Sequence, residues 1–174
     1  MLRVFIGTGD AYALLEEAVR QVWGWDALPE ISRLGDGKPV FTDYPDCHFN
    51  LSHSGETVFC ALSDRPVGAD IEIVCPRKSK FPAYVFKGEE YDRYLALGGD
   101  WNAFYTLWTE KESIIKYTGE GLKAWRRAQL PEGCVMTNLS GDGWRGAVCG
   151  HETAKFETLG GLCYAKRKIR RQIP

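Results

Sequence analysis

The chain carries almost no net charge, because 22 Lys and Arg stand against 23 Asp and Glu and leave −1 over 174 residues. That argues against a nucleic-acid binder working through a global basic field, so any phosphate handling must be local. No uninterrupted apolar run approaches a membrane span, and the apolar start at residues 1–6 is too short and too soon cut by Gly7 and Gly9 to be a signal peptide. A cytoplasmic protein without membrane contacts is expected. No C-x-x-C pair or closely spaced Cys/His set exists, and the six cysteines, Cys47, Cys60, Cys75, Cys134, Cys149 and Cys163, are scattered among apolar neighbours. They suit small buried thiols in a reducing compartment rather than zinc or disulfides. No G-x-S-x-G elbow frames a nucleophile, which leaves a Ser/His hydrolase as a minor reading, and neither G-x-G-x-x-G opening a helix nor a P-loop is present.

What is there is a globular composition, 44% hydrophobic and 26% charged, enough for one core or two small halves sharing a core. A strand at residues 2–6 leads to Asp10, a good helix N-cap, and then to Ala11, Leu14, Leu15, Ala18 and Val22 at helical spacing up to Trp23-Gly24. Residues 26–46 are rich in Gly, Pro and Asp and read as a loop presenting Lys38. Two short strands, 47–51 and 57–62, follow, joined by the polar turn Ser52-His53-Ser54-Gly55.

After Asp64-Arg65-Pro66 a second half begins with an alternating strand at 67–74. A helix at 88–97 ends at Gly98-Gly99, and a long helix capped by Asp100 runs to Tyr117 and stops at Gly119. Segments 134–138, 144–149, 153–159 and 162–166 read as short antiparallel strands broken by Gly-rich turns. The expected fold is α+β, two similar halves at 1–65 and 66–174, each a small mostly antiparallel sheet on a long helix, with the active site in the cleft between them. No internal sequence repeat is visible.

The long helix holds the most informative segment, Trp108-Thr109-Glu110-Lys111-Glu112-Ser113-Ile114-Ile115-Lys116. At 3.6-residue spacing Phe104, Trp108 and Ile115 share an inward stripe, and Glu112 and Lys116 fall on it. A charge there is costly unless paired or bound, so Glu112 is either half of a structural ion pair or part of a site. Lys111 is rotated from that stripe and is expected to face solvent or a partner. Asp70 and Glu72, two apart on a strand, project from one face about 7 Å apart at the backbone. They are either solvated carboxylates or a grip for a small cation. If Glu112 meets that face, three oxygen donors converge with room for waters and substrate phosphates, as Mg²⁺ is usually held. Lys116 then stands beside the metal for a phosphate oxygen, or else simply pairs with Glu112.

Gly37-Lys38-Pro39, Phe49-Asn50-Leu51-Ser52-His53-Ser54-Gly55, Val67-Gly68-Ala69-Asp70-Ile71-Glu72 and the Trp108 to Lys116 segment with Gly119-Glu120-Gly121-Leu122 together resemble the ordered motifs of the Sfp-type 4′-phosphopantetheinyl transferases. The resemblance implies transfer of the phosphopantetheine arm of coenzyme A to a serine of an apo acyl or peptidyl carrier protein, with release of adenosine 3′,5′-bisphosphate. It implies that Asp70, Glu72 and Glu112 hold Mg²⁺, with Mn²⁺ as the alternative, that Lys116 meets the pyrophosphate, and that Lys38, Ser52 and His53 contact coenzyme A. The base for the carrier serine would be Glu112, with Glu90 as second candidate.

The family usually has a longer N-terminal region and a basic residue entering the first helix, so the chain reads as shortened there; Gly9-Asp10-Ala11-Tyr12-Ala13 contains no cation. A non-catalytic coenzyme A or carrier-protein binding module is therefore the alternative, and an unrelated Mg²⁺-dependent phosphoester hydrolase a third. The run Lys166-Arg167-Lys168-Ile169-Arg170-Arg171 is either a solvated tail or an attraction for an acidic carrier. Two halves in one chain favour a monomer.

Overall fold

A computed structural model describes residues 1–35 and 37–164, without the side chains of Leu122 and of 158–164. Strand β1 (Leu2–Gly9) feeds helix α1 (Ala11–Trp23) through Asp10, whose carboxylate accepts from the N–H groups of Tyr12 and Ala13. Gly24 closes that helix in the left-handed conformation with φ 69°. Both caps were expected. The segment read as a loop instead folds into a small ribbon of β2 (Ile31–Arg33) and β3 (Pro39–Phe41), paired Ile31 to Phe41, with Lys38 at its mouth. The rings of Trp23, Trp25 and Phe41 pack against one another and hold it, a long-range contact that local composition does not reveal.

Strands β4 (His48–Ser54) and β5 (Thr57–Ser63) form a hairpin whose two-residue turn is Gly55-Glu56. Ser52, His53 and Ser54 are thus strand residues, not the expected turn; Gly55, at φ 59°, starts the reversal. The first sheet has the order β4-β5-β1-β9. Its last member, β9 (Lys155–Tyr164), runs parallel to β1 as one strand, although two antiparallel strands were expected from residues 153–166. The diglycine Gly160-Gly161 makes no turn. It lies where the register slips between Ile6 and Thr8 while β9 advances from Thr158 to Cys163, an irregularity that glycine tolerates. The C-terminal basic run lies outside the described residues.

The second sheet, β6-β8-β7, comprises β6 (Gly68–Ile73), β7 (Val135–Gly141) and β8 (Trp144–Gly150), all antiparallel. The two sheets pack face to face through Val4, Phe59 and Ala61 from one and Ala69, Ile71 and Val148 from the other. On the outer face of the first sheet, Phe5, Phe49, Val58, Cys60 and Leu62 meet Leu14, Leu15, Ala18 and Val19 of α1. The chain is mixed α and β, with several small, mostly antiparallel sheets and packed helices.

Helix α4 (Trp101–Thr118) covers β6 and β8, capped by Asp100 accepting from the Ala103 N–H and by Gly119 at φ 76°, as its sequence indicates. It approaches β6 so closely at Gly68 that an added Cβ would run into the backbone of Ser113 and Tyr117. Helices α2 (Phe81–Val85) and α3 (Glu89–Ala96) close its other side through Phe86, Tyr94, Phe104 and Leu107. Burial on both sides explains why Glu110 and Lys111 are buried, and it corrects the expectation that Lys111 faces solvent: Lys111 is 5% exposed, pairs with Glu90 of α3 and donates to the Trp125 carbonyl at 3.0 Å. No helix among the described residues is long and apolar enough to cross a membrane.

Candidate active site

β6 is an edge strand, so the N–H groups it does not give to β8 need other acceptors. Asn50, Ser52 and Ser54, on alternate positions of β4, supply them: Ala69 N donates to Asn50 Oδ1 at 2.9 Å, Ile71 N to Ser52 Oγ at 3.3 Å and Ile73 N to Ser54 Oγ at 3.1 Å. The two hydroxyls also donate, Ser52 to Asp70 Oδ1 at 2.7 Å and Ser54 to Glu72 Oε2 at 2.8 Å. Asp70, only 2% exposed, is held from the other side by Lys116 Nζ at 2.7 Å, and that ammonium also donates to Ser52 Oγ at 2.9 Å. Among the described residues Lys116 makes its ion pair with Asp70 and not with Glu112.

Glu112 faces the same place from α4. Burial pushes its carboxyl up to about 7, the negative charge of Asp70 adds to that rise, and Lys116 and a hydrogen bond from Trp108 partly oppose it. Glu72 is shifted upward too, first by burial and further by Asp70, against the hydrogen bond from Ser54. Three carboxylates thus stand in one another's field, with the Lys116 ammonium among them and the Arg77 guanidinium acting on Glu72 from outside. Such a surplus of negative charge in a half-buried place suits a divalent cation.

One atom speaks for that directly. Asp70 Oδ2 is buried and has no hydrogen-bond partner, while its twin Oδ1 has two. A buried carboxylate oxygen left unpaired is costly, and a cation is the natural occupant of its lone pairs. The donor set, all carboxylate oxygen, fits a hard ion such as Mg²⁺. No three His, Cys, Asp or Glu side chains among the described residues form a closed ligand cluster, and Lys116, Ser52 and Ser54 bond to the Asp70 and Glu72 oxygens.

A cleft of ≈ 320 Å³ adjoins these groups, walled by Lys38, Pro39, Asn50 and Leu51 on one side and by Glu112, Ile115 and Lys116 on the other. Lys38 reaches across it, donating to the Val67 carbonyl at 3.2 Å and the Tyr117 carbonyl at 3.1 Å, the latter at the negative end of α4. The structure therefore gathers Lys38, Ser52, Asp70, Glu72, Glu112 and Lys116. It does not gather His53 or Glu90. His53 is exposed and, by strand alternation, lies on the face of β4 opposite to Ser52 and so away from the carboxylates, on the side of Leu51, which borders the cleft. Glu90 belongs to a second pocket of ≈ 380 Å³ beyond α4, with Lys111, Leu107 and Met136. The residues missed from sequence are Asn50 and Ser54 as the link between sheets; the period-2 pattern Asn50-x-Ser52-x-Ser54 was their signal, hidden by reading a turn there.

The model of the 4′-phosphopantetheinyl transferase superfamily matches residues 66–157, more than half of the chain and the whole of β6 and α4. The chain belongs to that superfamily. It is similar to the 4′-phosphopantetheinyl transferase Sfp of Bacillus subtilis (strain 168), 46% identical over 109 residues, which are 62% of this chain and 46% of that protein. It is also similar to psf-1 of Bacillus pumilus, 42% identical over 51% of this chain and 39% of that one. The match to AcpT of Salmonella typhi is 35% identical over 137 residues, 70% of this chain and 67% of the relative. The chain thus spans less than half the length of the Bacillus relatives and two thirds of AcpT. Superfamily membership covers the strand carrying Asp70 and Glu72 and the helix carrying Glu112 and Lys116.

Proposed function

We propose that the chain transfers the 4′-phosphopantetheine group of coenzyme A to the serine of an apo acyl or peptidyl carrier protein and releases adenosine 3′,5′-bisphosphate. The observation that carries this reading is the buried, unpartnered Asp70 Oδ2 beside Glu72, Glu112 and Lys116 at the rim of the cleft. Asp70, Glu72 and Glu112 hold Mg²⁺, with Mn²⁺ as its substitute. That ion, when bound, neutralises pyrophosphate oxygens as charge builds on the leaving group.

The protein's own groups do the rest. Lys116, beside Asp70 at the cleft rim, would present its ammonium to a pyrophosphate oxygen, and Lys38, Ser52 and His53 would contact coenzyme A. The carrier serine oxygen bonds to the phosphorus bearing the pantetheine arm; the bond from that phosphorus to the bridging oxygen breaks, and that oxygen leaves with the nucleotide. The serine proton passes to Glu112, directly or through a water; Glu90, paired with Lys111 beyond α4, is out of reach of that step. Residues 1–65 act as the coenzyme A half, their sheet completed by β9, and the rest of 66–174 as the metal half. A pseudo-twofold relation between them is supported by the pairing of each sheet with one outer helix, α1 and α4. The protein works as a cytoplasmic monomer.

Incubation with coenzyme A, Mg²⁺ and several apo carriers, followed by weighing the carriers, tests this. A mass gain of one phosphopantetheine on a carrier is expected. Unchanged masses on every carrier overturn transfer and favour a non-catalytic binding module, for which the Lys116–Asp70 pair speaks, since it neutralises Asp70 without any ion.

A further inference from the structure

We propose that Ser54 is a positioning residue for Glu72: it fixes where that carboxylate points toward the bound cation, and so sets metal affinity without touching coenzyme A. The inference rests on the metal reading given under the proposed function and goes beyond it to a residue with no role there. Three rungs cross from β4 to the edge of β6, and they are not alike. Each begins with a β6 N–H donating to a β4 side chain: Ala69 to Asn50, Ile71 to Ser52, Ile73 to Ser54.

A hydroxyl that accepts at its lone pairs still has one proton to give, whereas an amide oxygen that accepts has none. The hydroxyls stand only on the two rungs that carry a carboxylate, Ser52 at Asp70 and Ser54 at Glu72. The amide stands at the rung whose neighbour on β6 is Gly68, where α4 leaves no space for a side chain.

The Ser54 proton has a fixed direction. With the Ile73 N–H aimed at its oxygen, the O–H is left for Glu72 Oε2 at 2.8 Å, which leaves Glu72 Oε1 as the oxygen that would meet the cation. Ser52 does the same for Asp70, with Oδ1 taken and Oδ2 left open, but it is also tied to Lys116 and placed against coenzyme A, so it cannot isolate the effect. Ser54 can. Its rung is the outermost, the Ile73 N–H is within reach of water, and removing the hydroxyl leaves the backbone donor a substitute acceptor. What water cannot replace is the aim of the carboxylate. Partners that orient metal ligands typically change metal affinity by about 10–100-fold when lost.

The test is Mg²⁺ titration by calorimetry on the full chain without coenzyme A, for wild type, Ser54→Ala and Ser54→Thr, with thermal melts and transfer kinetics alongside. Ser54→Ala is expected to raise the Mg²⁺ Kd by about tenfold or more. Its Tm should stay within about 2 °C of wild type, and at saturating Mg²⁺ it should keep the wild-type KM for coenzyme A and recover most of kcat. Ser54→Thr, which restores the hydroxyl on a β-branched frame suited to a strand, should restore the Kd. An unchanged Kd in Ser54→Ala, with wild type binding Mg²⁺, overturns this proposal and leaves the metal reading standing; so does a weakened Kd that Ser54→Thr fails to restore. No Mg²⁺ binding by wild type overturns both.

Discussion

Glu110 and Glu112 sit two residues apart on α4 and have opposite fates. Glu110 is a closed pair: Arg93 reaches it with two nitrogens at 2.6 and 2.8 Å, and Asn138 donates at 2.7 Å. Every lone pair that matters has a partner within the protein. Glu112 and the Asp70 it faces are open, with a carboxyl raised to about 7 on one and an unpartnered oxygen on the other. Identical chemistry on one helix is thus structural on one side and available on the other. The difference is the supply of donors: α3 and β7 bring an arginine and an amide to Glu110, whereas the Glu112 side offers a cleft.

Breaking the open side is expected to have the largest effect. Asp70→Asn and Glu112→Gln should each lower transfer by about a thousandfold or more, since a lost ligand removes several kcal/mol of charge stabilisation. Tm should hold or rise in Glu112→Gln, where burial already disfavours the carboxylate anion, and fall in Asp70→Asn, which leaves Lys116 without its ion pair. Carrier mass and melting curves check both. Breaking the closed side should do the reverse. Glu110→Ala leaves Asn138 unpaired and costs about 2 kcal/mol, a Tm drop of roughly 4–8 °C, with activity retained in the folded fraction.

The pH dependence sharpens the contrast. Without metal, the folded state keeps the Glu112 proton up to about 7, while the unfolded chain gives it up near the ordinary 4.5. The folded state binds more protons in that window, so stability falls as pH rises from about 4.5 through 7. Glu112→Gln should flatten that slope in pH-resolved melts, and Glu110→Ala should not. For the same reason Mg²⁺ affinity should rise with pH up to about 7 and then level. The smallest effect is expected at His53, exposed and away from the carboxylates: His53→Ala should raise KM for coenzyme A a few-fold with Tm unchanged.

Local signals carried the helices well. Asp10, Gly24, Asp100 and Gly119 mark the ends of α1 and α4 in sequence because capping is settled within four residues. Partner choice is not local, and there the sequence is mute: nothing near Lys155 says that it will lie parallel to Arg3. Lys111 departs from its helical periodicity for a related reason. A one-face rule assumes a helix on a surface, and α4 is covered on two sides, by β6 and β8 and by α3 and the segment around Trp125.

The site was legible as a set of types, two carboxylates on a strand, one on a helix and two lysines, because charge on a buried stripe demands an explanation. What stayed hidden was their wiring. Reading 52–55 as a turn concealed the face alternation that joins Ser52 and Ser54 to β6 and sends His53 to the other side.

In the proposed function Asp70, Glu72 and Glu112 form the working cation site. Electron paramagnetic resonance of Mn²⁺ added to wild-type protein, to Asp70→Asn and to Glu110→Ala tests it most directly. Loss of the free-ion signal with wild type and Glu110→Ala, and its persistence with Asp70→Asn, is the predicted result. Equal uptake of Mn²⁺ by wild type and Asp70→Asn, or uptake by neither, would contradict it.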